Sequence, residues 1–147
     1  MGDEMLEVVD IRLVWNAVRP GVEQIHANLP WVDWRPEDIY AACTNGDSAL
    51  ITKQGVDASE AFMIVRMDVN QRTGEKILFI WLAWCPDETG AAEIYLELDQ
   101  LAMGNGCSAI EFITGERKLV EFADQFGFRK VMYEVRKDLP GPTAPGQ

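Results

Sequence analysis

A chain of 147 residues, 48% hydrophobic and 25% charged, is long enough to bury one core and short for two. Its formal net charge of −11 repels nucleic acid and anionic lipid at long range, which argues against both as partners. The acidic start "MGDEMLEVVD" lacks the basic and apolar regions of a secretory signal, and "ILFIWLAWC" falls short of the roughly 20 apolar residues that span a bilayer, so a soluble, cytoplasmic protein is expected.

In chain order, "EVVDIRLVW" is β-branched and mostly apolar and predicts a first strand. "RPGVEQIHANL" places Val22, Ile25 and Leu29 at helical spacing after Pro20, a helix starting near that proline and ending before Pro30. Trp31 and Trp34 then fall in a proline-bounded loop. They either pack the helices onto a sheet or wall a substrate or partner groove. A short helix follows, opened by Pro36 with Asp38 in its first turn and stopped at Asn45 and Gly46.

Three strands come next, "ALITKQ", "EAFMIVRMDV" and "KILFIWLAW". The short links "GVDASE" and "NQRTGE" carry turn residues and predict an antiparallel meander. The stretch "AAEIYLELDQLAMGNG" predicts a helix with Ile94, Leu98 and Leu101 on one stripe, Glu93, Glu97 and Gln100 largely off it, and Gly104 or Gly106 as its stop. "CSAIEFITG" is entered from that helix and is expected parallel to the strand before it. "ERKLVEFADQFGF" predicts a second amphipathic helix with Leu119, Phe122, Ala123 and Phe126 inward, and "RKVMYEVRKDL" a last strand closing the sheet. One domain over 1–139 and a disordered Pro/Gly-rich tail over 140–147 are therefore expected.

Cys43, Cys85 and Cys107 contain no CxxC pair. They read as small apolar core residues or as reactive thiols, in either case in a reducing setting. The single histidine, His26, leaves little from which to build a zinc site or a Ser-His-Asp triad, and no metal is expected.

The fold class expected is α/β, a mixed, mostly antiparallel twisted sheet with helices on both faces. This order of elements resembles that of the GNAT acetyltransferases over nearly the whole chain. Two stretches sharpen the resemblance. "LAMGNGCSAIEF" is similar to the end of the family's cofactor helix and the strand after it, and "FADQFGFRK" is similar to its "Y-x-x-x-G-F" pattern.

The resemblance implies that acetyl-CoA, where bound, lies against the backbone of the fourth strand at Leu82, Ala83 and Trp84 and against the turn carrying Thr89, Gly90, Ala91 and Ala92. The family's pyrophosphate pattern "[RQ]-x-x-G-x-[GA]" falls on "PDETGA". Only Ala91 matches; Pro86 replaces the basic or amide position and Thr89 the first glycine. Gly lets backbone approach a phosphate closely, and Thr89 does so less well. Asp87 and Glu88 add like charge. One such pair at roughly 5 Å and an effective dielectric near 20 costs about 3 kcal/mol before salt screening. The same acids stabilise a helix N-terminus with no ligand present.

The family's tyrosine, which protonates the departing thiolate, is replaced by Ala123, and Glu116 stands about where it has an asparagine. Glu111 and Tyr133 are the candidate catalytic side chains. Each also reads as solvent-facing or as a structural hydrogen-bond partner.

Two functional readings follow, the first preferred. In one, the acetyl-CoA site is degenerate and the protein is an interaction or structural component. Degenerate members resembling it occur among tailed-phage proteins, internal virion components included, so a phage origin is one expectation, and with it a place in the host cytoplasm or the virion. In the other, the chain is an acyl-CoA-dependent N-acyltransferase acting on a small amine or a protein amino group, with acetyl-CoA as cofactor. The partners expected are a protein or a cationic amine, with self-association left open.

Overall fold

A computed structural model of the chain describes residues 6–29, 32–85, 88–114, 117–131 and 137–141; for 88–93, 95–96, 117–119 and 122 it describes the backbone alone. The chain divides into two compact units, Met1–Ile113 and Thr114–Gln147.

Among the described residues, the first unit is a five-stranded sheet with three helices. Its strands are β1 (Leu6–Val9), β2 (Ala49–Lys53), β3 (Phe62–Val69), β4 (Lys76–Trp84) and β5 (Ala109–Phe112), in that spatial order. The first three pairings are antiparallel and β4 pairs β5 in parallel, as the short links and the intervening helix require. In the β3–β4 turn, the Asn70 side chain accepts backbone N–H bonds from Arg72 and Thr73, and Gly74 takes φ +77°. Helix α2 (Pro36–Thr44) begins and ends where predicted. The Arg35 N–H donates to the Asp38 carboxylate at 2.8 Å, and Gly46 follows with φ +89°.

The N-terminal region departs from expectation. The first strand stops at Val9, and helix α1 runs Ile11–Asn28 with Pro20 inside it rather than at its start. Asp10 caps the helix, its carboxylate accepting from the Arg12 N–H at 3.0 Å. The β-branched run is helical from Ile11 because its burial follows a period near 3.6. Ile11, Val18 and Val22 are buried, and Val14, Trp15 and Ile25 pack against the same cluster. Gly21 lets this helix approach the sheet. A Cβ there would lie 2.8 Å from Phe62 Cε2 and 3.0 Å from the Trp84 ring.

The core beneath α1 and α2 joins Ile11, Val18, Val22, Trp34 and Ile39 to Leu50, Phe62, Ile64 and Leu82 of the sheet. Trp34 is thus a packing residue, edge-on to His26 at 5.1 Å and to Trp81 at 6.4 Å between centroids. Helix α1 ends at Asn28, before Pro30 as expected, and Trp31 lies outside the described residues.

Strand alternation sends Ile51, Met63, Val65, Leu78 and Ile80 to the opposite face, where all five are buried. Helix α3 (Glu88–Gly104) serves that face with Ile94, Leu98 and Ala102, all buried outside the α1–α2 cluster. Beyond it, the Cys107 thiol is 3.3 Å from the Met67 sulfur. The helix begins three residues before the predicted Ala91 and ends with Gly106 at φ +78°. Glu97, expected off the apolar stripe, is half-buried; its Oε2 is enclosed without a hydrogen bond among the described residues. No described helix is long and apolar enough to cross a membrane.

The second unit contains α4 (Arg117–Asp124), ended by Gly127 at φ +87° with the Phe128 N–H donating to the Ala123 carbonyl at 3.3 Å. Ala123 is buried as predicted and Phe126 is half-buried; the Leu119 and Phe122 side chains lie outside the description. Residues 129–131, expected to open the last strand, are irregular and exposed, and most of that strand and of the tail lies outside the described residues.

Candidate functional site

The feature that sets β4 apart is unequal pairing along its two edges. Toward β3 it is paired from Lys76 to Trp84; toward β5 only Ile77 to Ile80 find partners, Ala109 to Phe112. After the pair Ile80–Phe112 the two parallel strands part. Among the described residues, the β5-facing edge of Trp81–Trp84 carries no neighbouring strand. Backbone groups on that edge are left for another partner.

A bulge marks the same place. Val65 pairs with Ile80 and Ile64 with Leu82, so Trp81 is an extra residue on β4. Its effect is visible in the packing. Ile80 points away from the α1–α2 core, whereas Trp81 and Leu82 both pack against it. Leu82 is buried, Trp84 half-buried and Ala83 exposed. Two of the three predicted β4 residues therefore serve the core with their side chains, which leaves their backbone as the group able to recognise a ligand.

Thr89, Gly90, Ala91 and Ala92 do not form the expected loop. They lie at the start of α3, where the first-turn backbone N–H groups, here those of Thr89 and Gly90, lack helical acceptors. Glu88 is the first helical residue; Pro86 and Asp87 are outside the described residues.

Glu111 stands on β5, exposed, in register with Phe79 of β4, and Phe79 is in turn in register with Arg66 of β3. Paired residues share a face, so the three side chains form one row on the α1–α2 side, one step before the strands part. Sequence reading missed Arg66 and Phe79, because register rather than composition unites them. Tyr133 lies outside the described residues, as does Glu116.

The thiols are separate from this row. Burial pushes Cys43 up to about 11, which suppresses its thiolate, and Cys107 is buried. Among the described residues no group of three or more His, Cys, Asp or Glu is placed to hold a metal. An open groove of about 420 Å³ lies elsewhere, on the first turns of α1, with Trp15, Tyr40 and Asp57 in its lining.

No protein-family model and no curated protein sequence matches the chain. Solved structures do. A probable acetyltransferase superposes with TM-score 0.68 at 11% identity, covering 94% of this chain and 99% of its own. A mutant of the BH1408 protein from Bacillus halodurans gives 0.71 at 14%, covering 92% and 99%. An aminoglycoside acetyltransferase from an uncultured soil metagenomic sample, in complex with sisomicin, gives 0.65 at 6%, covering 92% and 95%. The chain has the GNAT acetyltransferase fold. Such identities establish the GNAT fold alone, and the chemistry has to be argued from the site.

Proposed function

We propose that the protein is an acyl-CoA-dependent N-acyltransferase. The observation that carries this reading is the edge of β4 from Trp81 to Trp84, which β5 leaves open and the bulge at Trp81 re-aims. The amides of a pantetheine arm suit such an edge, because they offer the donors and acceptors that a missing strand would supply. The fit does not depend on the side chains that depart from the family pattern. The first-turn N–H groups of α3, at Thr89 and Gly90, complete the cofactor site by facing its anionic end.

Acetyl-CoA bound there supplies an activated acyl thioester. Glu111, exposed beside the point where β4 and β5 part, takes the proton of the attacking amine directly or through a water. Ala123 offers no proton to a leaving thiolate, so that proton comes from solvent or from the acceptor. The acceptor is an amine, a class to which the aminoglycoside acetyltransferase of the same fold also points.

The test is a thermal unfolding series with and without acetyl-CoA, followed by acyl transfer to a panel of amines. A ligand at 100 times its dissociation constant adds about 2.7 kcal/mol, a rise in Tm of several degrees. No shift at millimolar acetyl-CoA defeats the proposal.

A second reading rests on the buried Ala123 in the position of the family's proton donor. In it the fold serves as an interaction or structural component, including one of a phage virion, and acetyl-CoA does not bind.

A further inference from the structure

The row Arg66–Phe79–Glu111 has a chemistry of its own. Arg66 reaches toward β4, its Cζ 4.5 Å from the centre of the Phe79 ring and 5.8 Å from that of Trp81. Its Nε donates to the Asp68 carboxylate, at 3.1 and 3.3 Å to the two oxygens. That bond and the aromatic stack hold the guanidinium plane, while the two terminal nitrogens make no hydrogen bond among the described residues. The side chain as a whole keeps 39% of its exposure. Two parallel N–H donors on a fixed plane match a carboxylate.

Across Phe79 stands Glu111, exposed and with no ion pair or hydrogen bond among the described residues. Strands lie about 4.8 Å apart, so the Arg66 and Glu111 backbones are about 10 Å apart across the row, and the lean of Arg66 over Phe79 shortens the gap between the charged groups. The row thus presents a cation, an apolar floor and an anion in line, next to the opening between β4 and β5.

We propose that the acceptor is a small aminocarboxylate, its carboxylate held by the free edge of Arg66 and its amino group by Glu111. This rests on the acyltransferase reading for its consequence, and deepens it by naming the acceptor class. A purely cationic amine fits the row less well, because it leaves the two terminal nitrogens of Arg66 without a carboxylate and brings like charge beside them. Glu111 places the amine nitrogen at the parting of the strands, where the acyl group is to be received.

The experiment is calorimetric binding of the ω-amino acids from glycine to 6-aminohexanoate, each beside its own primary amide, with and without acetyl-CoA. At least one aminocarboxylate is expected to bind ten or more times tighter than its amide. Arg66→Met should bring that aminocarboxylate down to the amide's affinity and leave the amide unchanged, whereas Glu111→Gln should weaken both. Equal affinities for acids and amides, or binding of neither, overturns the proposal. Because the comparison is also read without acetyl-CoA, failure to bind the cofactor counts against the acyltransferase reading and leaves this result separate.

Discussion

Asp10 decides where the first strand becomes a helix. Its carboxylate takes the Arg12 backbone N–H at 3.0 Å and the Arg12 guanidinium at 3.0 and 2.8 Å. The side-chain bond from Arg12, then the backbone bond, hold its carboxyl below the ordinary aspartate range. A carboxyl lowered in the folded state stabilises above its unfolded value, and that contribution disappears as pH falls through the folded one. Asp10→Ala is therefore expected to lower Tm at neutral pH. The gap between variant and parent should begin to close below about pH 4, the ordinary aspartate value, and go on closing as pH falls through the lower folded one. Thermal unfolding at pH 7 and at pH 3 checks both parts.

At the scale of elements, α1 and the end of β4 are coupled through one missing side chain. Gly21 sits where a Cβ would meet Phe62 at 2.8 Å and the Trp84 ring at 3.0 Å, and Phe62 is buried in the core with no room to retreat. Gly21→Ala gains about 1 kcal/mol of helix propensity. Overpacking costs about 1–3 kcal/mol and displaces Trp84. A net loss on the order of 1 kcal/mol is expected in denaturant unfolding, from the difference between these two terms. On the proposed function, acetyl-CoA affinity falls with it, because Trp84 ends the open edge of β4. An alanine that leaves both stability and cofactor binding unchanged would show that the close approach has no consequence.

For the whole molecule the net charge of −11 sets the long-range field. An anionic cofactor approaching such a surface is repelled, and the repulsion extends about 30 Å at 10 mM salt and about 8 Å at 150 mM. The association rate of acetyl-CoA should rise with ionic strength over that range, in stopped-flow binding, and fall only if basic side chains dominate the entry. The same field favours an acceptor carrying an ammonium group, while Arg66 supplies local attraction for a carboxylate.

What was legible in the chain, and what was not, divides by the range of the interaction. Turn residues at Asn45–Gly46 and Asn70–Gly74, and links too short for a crossover, are local signals, and they determined the meander, the ends of α2 and the parallel entry of β5. The stretch "VVDIRLVW" misled because β-branched residues prefer strands only weakly, and burial of Ile11, Val18 and Val22 on one helical stripe outweighs that preference. The run "ILFIWLAW" carries no alternation, so neither the bulge at Trp81 nor the parting of β4 from β5 can be read from it. Both are properties of pairing between strands distant in sequence. Register alone brings Arg66, Phe79 and Glu111, 13 and 32 positions apart in the chain, onto one row. The sequence by itself thus determined the order and kind of most elements, through local backbone preferences and apolar spacing. Which backbone edge stays open and which charges face each other were decided only by the tertiary structure, because strand pairing is a long-range choice made by the core as a whole.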